Sequence, residues 1–222
     1  NERENIRNLI RDILSLKIKN LEISVIDDKS PDGTGSIVKR MSNKDNRVHL
    51  VLRNGKKGRG FAGIDGYKYC LEKGADIIVE MDADFSHDPK YIPYMLEKIR
   101  HADVVLGSRY VDSGRQVGRS VFRRLLTFLA NTYIKTVLGL KIKDSNSGFR
   151  CYTRYVLEEI QKTEFLSSGH SKLQEVLYKC HKKGYSISEI PIIFKEREKG
   201  TSKLQMKYIW SGYLLVLRMK FS

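Results

Sequence analysis

The first half of the chain alternates between short apolar runs and segments with helical spacing, and this alternation constrains the fold more than any other feature. Apolar residues with helical periodicity predict helices, whereas short β-branched runs bounded by turn residues predict strands. The predicted strands are residues 21–26, 48–52, 76–81 and 103–106, and the predicted helices are residues 4–17, 36–41, 64–73 and 91–100. Such alternation predicts an α/β fold with a mainly parallel sheet covered on both faces.

The second half of the chain is richer in helical pattern. Helical spacing occurs at residues 119–138, 153–162, 169–183 and 207–220, with a predicted loop at 143–148 and a strand-like run at 186–194. No repeat and no linker-like stretch divides the sequence, so we predict a single domain over residues 1–222.

Charged residues follow three of the predicted strands at the point where each strand ends. Asp27 and Asp28 follow the first strand, Asp82 and Asp84 the third, and Arg109 the fourth. In open α/β sheets, ligands bind at the carboxyl ends of the strands. The sequence therefore predicts that these five side chains share one edge of the sheet, which we call the rim.

The segment VEMDADFSHDP, residues 79–89, indicates a cation site. Asp82 and Asp84 are two positions apart in an extended segment, so their carboxylates project to the same side and repel unless a cation lies between them. Oxygen ligands suit Mg²⁺ or Mn²⁺, often together with substrate phosphates. Ser86 could add a hydroxyl and His87 a nitrogen. The alternative is a solvated turn in which Asp88 starts the next helix.

The net charge is strongly positive, since 41 Lys and Arg residues against 26 Asp and Glu residues give +15. Such an excess indicates an anionic partner: a nucleic acid, an acidic membrane surface or a phosphorylated substrate. The glycine-rich stretch at 53–66 is a further candidate phosphate contact, although it matches neither the P-loop nor the dinucleotide pattern. The three cysteines are far apart, which argues against a disulfide framework or a zinc site.

Two apolar segments, residues 121–140 and 208–219, are interrupted or ended by basic residues. Neither forms the run of about 20 apolar residues that a membrane-spanning helix needs. Both are typical of amphipathic helices. They are either ordinary core helices or helices that contact a membrane surface.

Seven motifs occur in order along nearly the whole chain and together carry a family resemblance. They are NERENI (1–6), VIDDKSPDGT (25–34), GKKGRGFA (55–62), MDADFSHDP (81–89), GSRY (107–110), SGFRCY (147–152) and REKGTSKL (197–204). Through these motifs the chain resembles the polyprenyl-phosphate glycosyltransferases of glycosyltransferase family 2, and most closely the dolichyl-phosphate mannosyltransferases.

The resemblance implies a fold and a reaction. The fold is GT-A, a Rossmann-like nucleotide-sugar-binding fold, with a nucleotide-sugar-binding half at 1–110 and an acceptor-side half with amphipathic helices at 111–222. The implied donor is a nucleotide sugar, GDP-mannose by the best match, and the implied acceptor is a polyprenyl or dolichyl phosphate. The implied cofactor is Mg²⁺ or Mn²⁺.

The resemblance also implies roles for donor-side residues. The positions that match nucleoside contacts are Glu2, Ile26 and Asp28. The donor- and metal-binding motif corresponds to Asp82, Ala83 and Asp84. Ser86 stands where some members use glutamine as a metal ligand, so the chain departs from the pattern at this position.

On the acceptor side the resemblance implies a set of phosphate-binding residues. Positions that match contacts to donor or acceptor phosphates are Arg109, Arg197 and Lys203, and those expected to hold the lipid phosphate are Arg123 and Thr127. Because a phosphate monoester is largely dianionic at neutral pH, such an acceptor needs no general base. Catalysis would then be electrostatic, with Asp84, Arg109 and Arg123 as the central residues, and attack would invert the anomeric centre.

The chain departs from the family at two further places. The first strand and a Pro-x-Tyr that precede Asn-Glu in family members are absent, so we expect residues to be missing before Asn1. His170 and Lys172 replace expected aromatic residues. The resemblance also implies a peripheral enzyme on an anionic membrane surface, at the cytoplasmic face, with a membrane-anchoring subunit or a missing transmembrane segment.

Two alternatives stay open at this point. A family 2 enzyme could instead act on a saccharide hydroxyl or use a UDP-sugar. A hydroxyl acceptor would need a general base, for which Asp144 and Glu175 are the candidates. The second alternative is a non-catalytic nucleic-acid-binding protein, which only the net charge suggests and which leaves the ordered aspartate motifs unexplained. We therefore expect no nucleic-acid partner.

Overall fold

The structure, a computed structural model, describes residues 1–167, 171–196 and 206–221, with side chains in the last segment from residue 212 onward. The strands are β1 (Ile23–Asp27), β2 (Val48–Leu52), β3 (Ile77–Glu80), β4 (Val104–Ser108), β5 (Arg115–Val117), β6 (Arg150–Thr153), β7 (Ile187–Pro191) and β8 (Ile193–Lys195). The helices are α1 (Ile6–Ser15), α2 (Thr34–Ser42), α3 (Arg59–Glu72), α4 (Ile92–Lys98), α5 (Val121–Leu138), α6 (Arg154–Gln161), α7 (Lys172–Lys182) and α8 (Met206–Phe221).

The strands form one four-stranded sheet and two strand pairs. The sheet has the order β3-β6-β4-β7, and the pairs are β1-β2 and β5-β8. Pairing is parallel in β1-β2, β4-β7 and β5-β8, and antiparallel where β6 lies between β3 and β4. The predicted α/β fold with a mainly parallel sheet is confirmed, and the four predicted strands of the first half are all present.

Helices cover both faces of the central sheet, as predicted. Side chains of successive residues in a strand point to opposite faces. In β4, Val104 and Leu106 belong to an apolar cluster with residues of α5, α6, α7 and α8, whereas Val105 belongs to a cluster with residues of α1 and α4. All three β4 side chains are fully buried. This two-sided burial explains why β4 reads as a continuous apolar run.

Three features of the second half differ from the prediction. Strands β5 and β6 were not predicted, because each has only three or four residues and β6 begins with an arginine. The predicted strand 186–194 is in fact two strands in different sheets. The chain changes partner at Ile192, whose N–H donates to Ser108 O at 2.9 Å while its carbonyl accepts from Arg115 N at 3.0 Å.

Helix α3 begins five positions earlier than the predicted start at residue 64, at Arg59. Glycines are typical of loops, but Gly60, Gly63 and Gly66 all lie inside this helix, and space is short at two of them. A Cβ at Gly66 would lie 3.1 Å from Ile26 Cγ1, and one at Gly63 would lie 3.4 Å from Glu80 Oε1. The glycines therefore let α3 approach both β1 and β3, and the earlier start places Arg59 at the rim.

Within the described parts of the chain, no helix combines the length and the apolar character needed to cross a bilayer. Helix α5 is nevertheless unusual, because its first two turns expose large apolar side chains. The exposed fractions are 72% for Val121, 69% for Phe122, 52% for Leu125, 55% for Phe128 and 49% for Leu129. We call these five residues the α5 stripe, since their spacing places them on one side of the helix.

Candidate active site

The carboxyl ends of β1, β3 and β4 meet at one rim, as the sequence predicts. A chain of contacts links them. Gly58 N, in the glycine-rich loop, donates to Asp28 Oδ2 at 2.7 Å, and the next residue, Arg59, lies with Nη2 3.0 Å from Asp82 Oδ1. His87, which accepts a hydrogen bond from Asp82, also lies close enough to Arg109 for that charge to affect its pKa.

At the end of β1, Asp28 is held by the glycine-rich loop. Its carboxylate pairs with the buried guanidinium of Arg53, which also binds Asp65 Oδ2 at 2.6 Å and Lys56 O at 3.1 Å. Through these contacts Asp28 holds the loop in place. Even so, 26% of its side chain is exposed to solvent.

The other residues predicted to contact the nucleoside lie in β1 and in the segment that contacts the start of α2. Glu2 donates its backbone N–H to Thr34 Oγ1 at 2.8 Å, and its carboxylate accepts from Asn5 Nδ2 at 2.8 Å. Ile26 lies in β1, where its side chain faces Gly66 of α3. Asp32 caps the start of α2 by accepting from Thr34 N at 3.0 Å. These contacts order the chain around the end of β1.

The Asp82–Asp84 segment follows β3 as a tight, strained turn. Asp82 N donates to His87 Nδ1 at 3.0 Å, and Asp84 Oδ1 accepts from Ser86 N at 3.1 Å. Ala83 is half-buried against the apolar clusters beneath. Phe85 has a φ of 60°, a left-handed conformation that costs a bulky residue free energy. The turn is thus held in a conformation that brings both carboxylates to the rim.

His87 supports this turn and does not act as a base. Its ring is buried, stacks on Phe149 with centroids 5.2 Å apart, and is tilted against Phe194. Burial lowers the pKa of His87 to about 4, against the raising effect of the Asp82 charge. The ring is therefore neutral at pH 7, and Nδ1 is used by Asp82 N. Nδ1 is therefore not available as the metal-ligating nitrogen that the sequence suggests for His87.

The donor atoms at the rim fit a divalent cation that shares its ligands with a substrate. Asp82 and Asp84 supply carboxylates, and Ser86 Oγ is buried without a hydrogen-bond partner among the described residues. In the part of the chain that the structure describes, no group of three or more His, Cys, Asp or Glu side chains could hold a metal. Two carboxylates completed by phosphates suit Mg²⁺ or Mn²⁺, whereas structural zinc needs four protein ligands.

At the end of β4, Arg109 forms a buried, bidentate salt bridge with Asp144. Arg109 Nε and Nη2 donate to the two carboxylate oxygens at 2.7 Å each, and Arg109 N donates at 3.0 Å. Burial alone would lower the pKa of Arg109, but the hydrogen bonds and charge of Asp144 outweigh it and raise this pKa. Only 7% of Arg109 and none of Asp144 is exposed.

These contacts weigh against both candidate general bases. Asp144 is inaccessible and saturated by Arg109. Glu175 is equally buried and accepts from Leu166 N and Ser167 N at 2.8 Å each, with Lys179 Nζ at 3.1 Å. Burial would raise the pKa of Glu175, but these hydrogen bonds lower it overall. Both carboxylates therefore stabilise the structure, so a base role for either does not fit the geometry.

The start of α5 adds positive charge beside Arg109. Arg123 pairs with Glu196 on the surface, and Thr127 Oγ1 donates to Arg123 O at 2.9 Å. Arg119 is half-buried, and burial together with the charges of Arg109 and Arg123 lowers its pKa. Two neighbouring positive charges thus act on the Arg119 guanidinium, and a bound anion would offset them. Two of the predicted phosphate ligands, Arg197 and Lys203, and also His170, lie outside the described residues.

One rim residue was not nominated from the sequence. Arg59 occurs in a quoted motif, but its partners Asp82 and Gly148 are far away in sequence. Lys172, which replaces an expected aromatic residue, lies over the rings of Phe61 and Phe165 at 5.0 and 4.6 Å. Three-dimensional proximity, not motif, identifies these residues.

Comparisons with known proteins identify relatives of this chain. The profile of Glycosyl transferase family 2 matches residues 1–161. The chain is 38% identical to the undecaprenyl-phosphate mannosyltransferase of Micrococcus luteus over 197 residues, which is 89% of this chain and 81% of that protein. It is also 38% identical to the polyprenol monophosphomannose synthase of Mycolicibacterium smegmatis over 206 residues, 92% of this chain and 77% of the relative.

A solved structure shows the same fold at low sequence identity. Glucosyl-3-phosphoglycerate synthase from Mycobacterium tuberculosis, crystallised in complex with Mn²⁺, UDP and phosphoglyceric acid, superposes with a TM-score of 0.66 at 17% identity. The match covers 99% of this chain and 73% of that chain. The α/β architecture of the two proteins is therefore shared.

Proposed function

The chain belongs to glycosyl transferase family 2, and from this premise we propose that it transfers mannose from GDP-mannose to a polyprenyl phosphate such as dolichyl phosphate, with inversion. The names of the two bacterial relatives support both the sugar and the acceptor. The observation that carries the proposal is the rim, where His87 lies within electrostatic reach of Asp82 and Asp84 and also of Arg109, the first member of an arginine cluster that includes Arg119 and Arg123. Two anions can be brought together there.

The donor side of the rim is the end of β3 with the glycine-rich loop. Asp82 and Asp84 would hold Mg²⁺ or Mn²⁺, with Ser86 Oγ as a further ligand. When bound, the cation offsets negative charge on the leaving diphosphate. Asp28 and Glu2 lie at the end of β1, where hydrogen-bond acceptors can bind the nucleoside. The ordered loop at Gly58 closes this side through its hydrogen bond to Asp28.

The acceptor side is the arginine cluster at the end of β4 and the start of α5. Arg109 is fixed by Asp144 and forms the immobile base of the cluster. Arg123 is 43% exposed and pairs with a surface carboxylate, so its guanidinium can exchange that partner for a phosphate. Thr127 lies one turn further along the same helix. Arg197 and Lys203 are proposed to add charge here, as the motif resemblance implies.

The reaction consists of one substitution at the sugar. A phosphate oxygen of the acceptor forms a bond to the anomeric carbon while the bond from that carbon to the donor diphosphate breaks and the nucleoside diphosphate leaves. The acceptor is largely dianionic at neutral pH, so no proton has to be removed first. The side chains at the rim position and stabilise the two anions. The engaged states of Asp144, Glu175 and His87 are consistent with chemistry that needs no base.

The α5 stripe fits an acceptor that resides in a membrane. Its five apolar side chains lie on the same helix as Arg123 and the exposed Arg124. An amphipathic helix of this kind can bury its apolar side at a membrane surface while basic residues contact anionic headgroups. We propose peripheral binding to the cytoplasmic face of a membrane, with the start of α5 delivering the lipid phosphate to the rim.

A saccharide acceptor is the alternative that a specific assay must exclude. It needs a base, and the two nominated carboxylates are buried and engaged, so the geometry disfavours it. A UDP-sugar donor is tested by comparing GDP- and UDP-sugars in thermal-shift measurements with Mn²⁺. Because the chain belongs to an enzyme family, the alternative of a non-catalytic nucleic-acid-binding protein is no longer favoured.

The direct test of the donor site is mannose transfer from radiolabelled GDP-mannose by the Asp84→Ala variant. We expect activity to fall at least about 100-fold, as removal of a transition-state charge contact commonly causes. Asp88→Ala is the matched control, because Asp88 lies four residues away and caps the short helix at Lys90 instead. Full activity of Asp84→Ala, or of wild type in the presence of a chelator, would contradict the proposed metal role.

A further inference from the structure

The guanidinium of Arg59 forms an ion pair with one carboxylate of the Asp82–Asp84 pair. Its Nη2 lies 3.0 Å from Asp82 Oδ1 and donates to Gly148 O at 3.2 Å. The contact therefore joins three distant segments: the start of α3, the end of β3 and the loop before β6. Both side chains are partly buried, with 28% of Arg59 and 29% of Asp82 exposed, so solvent screens this pair less than a surface pair.

The position of Arg59 depends on a glycine. The guanidinium lies directly against the backbone of Gly148, where a Cβ would come within 1.7 Å of Nη2 and 2.5 Å of Cζ. The nearest atoms to such a Cβ are all from this one side chain. Gly148 thus provides the space that lets Arg59 reach Asp82, and an alanine would push the guanidinium away without removing its charge.

A guanidinium on Asp82 and a divalent cation on the same carboxylate compete. Both are attracted by the same negative charge, and they repel each other at short range. We propose that Arg59 sets the metal affinity of the Asp82–Asp84 pair: it neutralises Asp82 when no metal is bound and must release this carboxylate when Mg²⁺ or Mn²⁺ binds. Arg59 is thus a positioning residue that couples cation binding to the start of α3.

The inference rests on the proposed function only in taking Asp82 and Asp84 as the cation site. It predicts that metal binding is linked to the glycine-rich loop. Gly58, the residue before Arg59, is held by Asp28, so movement of Arg59 is transmitted to a loop at the nucleoside side. Such a linkage is a coupling free energy between two sites. It must therefore change the affinity of the protein for the metal even when no substrate is bound.

The test is Mn²⁺ binding to the substrate-free protein, followed by the electron paramagnetic resonance signal of free Mn²⁺. We expect Arg59→Leu to bind Mn²⁺ roughly five- to tenfold more tightly than wild type, the lower range of typical couplings. Gly148→Ala should tighten binding in the same direction, by about threefold. Arg100→Leu is the matched control for net charge, because Arg100 is exposed and lies near Glu97 at 3.6 Å; its affinity should equal that of wild type.

A double variant isolates the contact. In an Asp82→Asn background, Arg59→Leu should no longer tighten Mn²⁺ binding, because the carboxylate for which they compete is gone. The inference is overturned if neither Arg59→Leu nor Gly148→Ala binds Mn²⁺ more tightly than wild type, or if the control tightens equally. Because no donor or acceptor is present, this result is independent of the transfer assay. A wild-type protein that transfers no mannose would instead contradict the proposed function.

Discussion

Two arginine–carboxylate pairs lie on the proposed acceptor side of the rim and differ in burial, geometry and freedom. Arg109 and Asp144 are 7% and 0% exposed and share two hydrogen bonds of 2.7 Å. Arg123 and Glu196 are 43% and 24% exposed. The first pair holds β4 to the loop at residues 143–148, while the second can open into solvent. Under the proposed function, an acceptor phosphate would displace only the second carboxylate, so that Arg109 provides rigidity and Arg123 provides exchange.

The largest effect that sharpens this comparison is expected from Asp144→Asn. It removes the carboxylate charge but leaves Arg109 buried, and an uncompensated buried charge typically costs about 3–5 kcal/mol. We expect a corresponding fall in the free energy of unfolding, measured by denaturant titration. The matched change in the exposed pair is Glu196→Gln, which should alter that free energy by less than about 1 kcal/mol. Equal effects would remove the distinction between the two pairs.

The second prediction concerns the acceptor phosphate. Arg123→Gln should raise the KM for polyprenyl phosphate by about tenfold or more, because one charge-assisted contact to a phosphate is lost. The KM for GDP-mannose and the melting temperature should stay close to those of wild type. Arg47→Gln is a suitable control, since Arg47 pairs with Asp45 on the surface. A KM increase confined to GDP-mannose would place Arg123 on the donor side instead.

The third prediction extends the comparison to the helix that carries Arg123. Replacing Phe122 and Phe128 of the α5 stripe by serine should weaken binding to vesicles of anionic phospholipid about tenfold, since two exposed aromatic side chains no longer enter the bilayer. Co-sedimentation measures the effect. The control is Tyr94→Ser, because Tyr94 on α4 is also exposed, at 65%. Undiminished vesicle binding would show that the stripe serves another partner.

The smallest expected effect comes from Glu196→Gln. The Glu196 carboxylate pairs with the guanidinium that the acceptor phosphate would bind. Removing the negative charge of Glu196 should therefore lower the KM for polyprenyl phosphate two- to threefold, a modest change in line with a surface pair. Steady-state kinetics at low ionic strength is the suitable measurement, because salt screens the contact. A higher KM would mean that Glu196 orients Arg123 rather than competing with the phosphate.

The sequence predicts the rim well because its evidence is local. Asp82 and Asp84 follow directly after an apolar strand, and the general location of ligands in α/β sheets places them at one edge with Asp28. The helix–strand alternation of the first half is confirmed for the same reason. Each element there carries its own periodicity, so no distant contact is needed to recognise it.

Contacts between distant segments account for what the sequence does not predict. Strand β6 is short and forms because β3 and β4 pair with it on either side. Arg109 is separated from Asp144 by 35 positions, and Arg59 from Gly148 by 89. No local pattern indicates that Asp144 is saturated by an arginine, so the sequence alone leaves it a candidate base. The partners of a charged residue thus decide its role more than its motif does.

In the proposed mechanism, a lipid phosphate held by the arginine cluster attacks the sugar without a general base. The most direct measurement compares mannose transfer from radiolabelled GDP-mannose to a polyprenyl phosphate and to the matching polyprenol, under identical conditions with Mn²⁺. Attack by a phosphate without a general base predicts labelled product with the phosphate and none above background with the alcohol. Comparable labelling of the alcohol, or transfer only to a saccharide, would contradict it.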